Sequence, residues 1–260
     1  MKIRSLRYRI LTLLLLSSYL MFTYNTFDGW WYSSIGTLLV LFFSYLIWGK
    51  NFPDVTGLRL SVKTILTTLM LTVTIIACSV IIISYIGSKN GVTIHYTNFG
   101  KYYHNIFYIL NEEIILGGIT IYLLLNKYKI APLKASVGLA LVFSLIHFVF
   151  YKWIFLETGI IKVETLIVLC LVGFLRNNLI IIFGHIGYSW ALHFGWMVVM
   201  FGSAPSRVNT FTGLSEPERF NMFLGSFEML ALTGILAGIS LGYMIKKMRS
   251  IMHHAGNTKV

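Results

Sequence analysis

Glu112 and Glu113 stand side by side inside an apolar run that extends from Asn105 to Leu125. A carboxylate in hydrocarbon costs roughly 2.5–3.5 kcal/mol on the insertion scale. No Lys or Arg lies between Lys101 and Lys127 to pair with either group locally. Such residues face a water-filled cavity or a polar partner on another helix, and they mark catalytic or transport sites. Two histidines add to the pair. His147 closes the segment Phe143-Ser144-Leu145-Ile146-His147, and His193 lies within Ala191-Leu192-His193-Phe194. Each sits in a different apolar run, and His185 precedes the second in a short turn. Taken singly, each histidine reads as an interhelical hydrogen bond. Taken with the two carboxylates, they read as one shared interior site.

The elements that must position these groups follow from hydropathy. The chain has 260 residues, 57% of them hydrophobic and 12% charged, about half the roughly 25% charge of soluble domains. Its mean hydropathy is +0.76. Runs long enough to cross a bilayer, about 20 residues each, occur near 8–24, 29–48, 64–87, 105–125, 135–155, 164–183, 187–203 and 224–246. Backbone hydrogen bonds must close within each span. The expected fold is therefore all-α: a polytopic membrane protein of about eight helices in one bundle. Residues 1–260 form a single membrane domain with a motif-bearing core at about 105–203. The N-terminal run has no small-residue cleavage site after it and reads as a retained signal anchor.

The net charge is +12. Its Lys and Arg residues cluster in short loops, so the charge belongs to membrane orientation and not to nucleic-acid binding. They collect at the N-terminus, at 49–63, at 126–134 and at Lys246, Lys247 and Arg249. With eight spans these segments share one side, so both termini are expected in the cytoplasm, at a bacterial plasma membrane. The loop at 204–223 is mixed in charge and reads as solvated. Cys78 and Cys170 both lie in apolar runs and suggest neither a disulfide nor a thiolate metal site.

The ordered set Asn111-Glu112-Glu113-Ile114-Ile115-Leu116, then Phe143 to His147, then His193 resembles the CPBP family of intramembrane proteases, the group of CAAX-type prenyl endopeptidases and bacteriocin-processing or immunity proteins. The family pattern is Glu-Glu-x-x-x-Arg, then Phe-x-x-x-His, then a last His-x-x-x-Asn or Asp. The stretch from Gly173-Phe174-Leu175-Arg176 to Gly184-His185-Ile186-Gly187 also looks like the approach to the last motif. Two positions depart: Gly117 stands where the family has Arg, and Met197 where it has Asn. Arg can hold a carboxylate in a bidentate fork, so Arg176 is the candidate to replace the missing cation.

The resemblance implies a metal-independent glutamate endopeptidase without a cofactor, acting on a membrane-associated or lipidated peptide or protein. In that reading Glu112 is the general base, because a carboxyl in a low-dielectric pocket beside another carboxyl suits that task. His147 assists it with the water, and His193 faces the oxyanion. Glu113, about 100° further round the helix, orients a partner or a second histidine. The alternative is a catalytically inactive CPBP-like membrane partner, an immunity or regulatory protein. A zinc site built from Glu and two His lacks any His-Glu-x-x-His, and a transporter lacks an inverted repeat. One spacing resists the site. His193 lies about 9 Å from the near end of its run, too close to that surface to meet the Glu pair on straight spans.

Overall fold

A computed structural model describes residues 2–23, 31–59, 61–96, 103–150, 162–208 and 212–257. The chain is an all-α polytopic membrane protein. Its long helices are α1 (Lys2–Thr23), α2 (Tyr32–Trp48), α3 (Val62–Lys89), α4 (103–127), α5 (Pro132–Phe150), α6 (Val163–Phe183), α7 (Gly187–Gly202) and α8 (Phe227–Asn257). Among the described residues five segments are long and apolar enough to cross a membrane, namely Tyr32–Thr56, Val62–Lys89, Asn105–Lys127, Val163–Phe183 and Phe227–Ser250. Each expected run coincides with one helix. Positions 24, 29, 30 and 151–155 of these runs lie outside the described residues.

Local chemistry sets the ends. Ser61 caps α3, its hydroxyl accepting from Thr64 N–H at 3.1 Å, which satisfies one of the orphan donors of the first turn. Gly184 closes α6 in the left-handed region at φ +75°, a conformation open to glycine without steric cost. The next two residues, His185 and Ile186, turn the chain directly into α7.

The helices pack in pairs: α1 on α2, α2 on α4, α3 on α7, α5 on α6, and α6 on both α7 and α8. Two apolar clusters result. One joins α3, α6, α7 and the 220–224 turn through Ile83, Ile86, Leu169, Val198, Met200, Phe220 and Phe223. The other joins α1, α2 and α4 through Leu15, Tyr19, Val40, Ile114 and Ile121. Glu113 sits where they meet.

One face of the bundle carries a feature the hydropathy pattern did not announce. Strand β1 (Val92–Tyr96) pairs antiparallel with β2 (Ser203–Arg207), with Val92 opposite Arg207 and Tyr96 opposite Ser203. The segment after α7 is thus not a simple solvated loop. Leu214, Phe220, Phe223 and Leu224 are buried, and Glu218 holds Arg207 and the Ser215 N–H. A two-stranded ribbon is marginal alone. This one rests on the end of α3, where Gly87 leaves room for Ile94.

Candidate functional site

The centre of the site is Glu113, whose side chain is fully buried. Arg176 of α6 donates from Nε to Glu113 Oε1 at 2.6 Å. Ser189 of α7 donates its hydroxyl to Oε2 at 2.6 Å. His193, one turn further along α7, brings Nδ1 to 3.2 Å from Oε1. Positions i and i+4 share a helix face, so Ser189 and His193 grip the same carboxylate from one side while Arg176 holds it from another. Phe143 of α5 completes the arrangement. The guanidinium lies over its ring at 5.0 Å, and its edge meets His193 at 5.7 Å. Such a cation–π contact favours a buried guanidinium.

Gly117 and Arg176 are complementary. A Cβ at Gly117 would stand 2.7 Å from Ile180 Cδ1 and 3.2 Å from Arg176 Nη2. The small residue on α4 therefore leaves the space that the cation of α6 occupies. The residue types at these two positions, read together, make one site: the positive charge comes from a neighbouring helix and not from the next turn of α4. Arg176 keeps its Nη2 buried and without a hydrogen-bond partner among the described residues.

The depth conflict in the sequence is resolved by where α7 begins. Gly118 packs so closely on the short helix Phe52–Thr56 that a Cβ there would collide with the Thr56 carbonyl. Gly57, at φ +72°, accepts a backbone hydrogen bond from Ile186 N–H at 3.0 Å. The turn before α7 is thus pinned at the level of Gly118, about 13 Å inside the Lys127 end of α4 at a helical rise of about 1.5 Å per residue. His193 then stands about 24 Å from that end and Glu113 about 21 Å, close enough to touch. The segment 105–127 also contains π-helical turns, Glu113–Ile119 and Leu123–Lys127. Such turns re-aim side chains inside an otherwise α-helical span and recur at functional sites.

Four residues were expected at the site: Glu112, Glu113, His147 and His193. Glu113 and His193 are brought together. Glu112 is also buried, on an adjoining face of α4, with its Oε2 unpartnered among the described residues. His147 lies in α5, and its side chain falls outside the described residues. His185 occupies the turn before α7 and accepts from Gly187 N–H. Ser189 and Phe143 were not singled out from sequence as site residues. The signals were there: Ser189 precedes His193 by four residues, and Phe143 opens the Phe-x-x-x-His segment. Among the described residues no three His, Cys, Asp or Glu side chains cluster as a metal site would require.

Beside this polar cluster lies a cavity of about 360 Å³. Its walls are apolar side chains of α3, α6, α7 and α8, together with Phe143, and His193 reaches it from α7. Met197, one turn beyond His193, is part of the same wall. The site thus has a buried charge pair on one side of the imidazole and a hydrophobic chamber on the other. Comparison with protein-family models, with curated proteins and with solved structures finds no match for this chain.

Proposed function

We propose that the chain is an intramembrane, metal-independent endopeptidase of the CPBP type, acting on membrane-associated peptides or proteins. The observation that carries this reading is the contact of His193 Nδ1 with the ion-paired Glu113 at 3.2 Å, with His193 also lining an apolar cavity. With Nδ1–H donating to Glu113, Nε2 is left as the basic ring nitrogen. A carboxylate that orients an imidazole in this way fixes its tautomer and stabilises the imidazolium that forms. His193 takes a proton from water as the water oxygen attacks the peptide carbonyl carbon. The same proton then passes to the leaving amine. Glu113, closed in by Arg176 and Ser189, positions the base and is not itself the base. This moves the base role from Glu112, where the sequence pattern alone put it, to His193, and keeps Glu113 as the group that orients a histidine. We also assign both termini to the cytoplasmic side of a bacterial plasma membrane, from the Lys and Arg asymmetry of the short loops.

The test is cleavage of membrane peptides by the purified protein in lipid bilayers. Wild type is expected to cut, and His193→Ala and Glu113→Gln to fail while remaining folded. Equal cleavage by wild type and His193→Ala overturns the proposal. A second reading, an inactive membrane partner, is favoured by one observation: both oxygens of Glu113 are already engaged by protein groups. That reading predicts no cleavage by any form, and a cellular phenotype that survives His193→Ala.

A further inference from the structure

We infer that the apolar cavity beside His193 takes up one acyl chain of a bilayer lipid, entering sideways between α3 and α8. This does not rest on the hydrolytic reading. The cavity is bounded by Ile75, Cys78 and Ile82 on α3 and by Met229, Leu232 and Leu236 on α8. These two helices pack on other partners, α3 on α7 and α8 on α6, and are not packed on each other along their length. At one end they are tied by an ion pair, Lys89 Nζ to Glu228 Oε1 at 2.6 Å. Below that tie the seam between them leads inward. Cys78 is exposed and also lines the cavity, so the chamber reaches the outer surface of α3.

What lies outside that seam decides the occupant. The outward faces of both helices are apolar: Val73 and Ile81 on α3 are 67% and 69% exposed, and Ile235 and Ile239 on α8 are 61% and 53% exposed. Both helices are apolar enough to span a membrane, so these side chains face hydrocarbon. The medium at the mouth is lipid tail. The walls also select for it. Away from His193 the lining is almost wholly apolar, so it offers few partners to the N–H and C=O that each further residue of an extended peptide would bring. A hydrocarbon chain needs none. It gains dispersion contacts along the apolar wall, and 360 Å³ lies within the roughly 300–1,000 Å³ of small-molecule sites.

The experiment uses the full chain in vesicles of a phosphatidylcholine carrying a photoreactive diazirine at mid-chain, with adducts mapped by mass spectrometry. Adducts are expected deep in the cavity, on Leu192, Met197 or Met229, as well as on the exposed belt. Ser79→Phe, which fills the chamber from α3, loses the deep adducts and keeps those on the belt. Leu232→Trp does the same from α8 and stands in if the first variant melts early. Glu113→Gln, outside the cavity wall, keeps the deep adducts while losing cleavage, so lipid entry and hydrolysis can fail separately. Adducts confined to Val73, Ile81, Ile235 and Ile239 overturn the inference, as do deep adducts that persist in both filled variants.

Discussion

Replacing Arg176 by Met removes one half of an ion pair whose side chains are 2% and 0% exposed. The methionine keeps most of the apolar stem but not the guanidinium over the Phe143 ring, so the change is chiefly the loss of the charge and its cation–π contact. Glu113 is then a buried carboxylate held only by the Ser189 hydroxyl and His193. Breaking a buried pair from one side costs about 3–5 kcal/mol, because the remaining charge has no water to return to. Glu113→Gln strands the guanidinium and is expected to cost a similar amount. The double variant Glu113→Gln with Arg176→Met leaves no charge behind and is expected to recover most of the loss, since a buried pair replaced as a unit is often near neutral. The assay is equilibrium unfolding in mixed micelles of the wild type, both single variants and the double, analysed as a cycle. A cost below about 1 kcal/mol for Arg176→Met, the value of an exposed pair, refutes the reasoning, as does a coupling energy near zero.

Other expectations follow from the same geometry. Gly118→Ala drives a methyl into the Thr56 carbonyl and is expected to cost at least the upper end of the roughly 1–3 kcal/mol of overpacking, read as early thermal unfolding; a neutral result contradicts the pinned turn. Glu112→Gln is expected to keep cleavage activity where Glu113→Gln loses it, because Glu112 lies outside the cluster around His193; loss of activity in both returns the base role to Glu112. On the β-strand face, the Ser215 N–H, the Ser215 hydroxyl and Arg207 hold the Glu218 carboxyl below its ordinary value of 4.5. A lowered value stabilises the ordered loop above 4.5, and that stability is lost as pH falls through the folded value. Limited proteolysis of the 204–223 segment should therefore quicken in acid for wild type, while Glu218→Gln should be quick at every pH.

Much of the architecture was legible because hydrocarbon imposes one solution on the backbone. A run of about 20 apolar residues becomes a helix, and α1 to α8 lie where the eight runs place them. That Arg176 pairs inside the bundle was also legible, since a charge in a span has to find a partner. Three things were hidden. The side of α4 that each glutamate faces depends on π-helical turns that hydropathy does not encode. The height of α7 depends on Gly57, Gly118 and Ile186 meeting across three separate segments, so a count of residues from the end of the run misplaced His193. The pairing of β1 with β2 joins polar segments more than 100 residues apart in sequence, where no apolar pattern marks a partner.

The central claim is that Glu113 and His193 act as one unit upon water. Its most direct test is the cleavage rate of wild type, Glu113→Gln, His193→Ala and the double variant on one membrane peptide, each checked for folding. Residues that act as a unit are strongly non-additive, so the double variant is expected to be no slower than His193→Ala alone. Losses that multiply, or a Glu113→Gln variant as fast as wild type, contradict it.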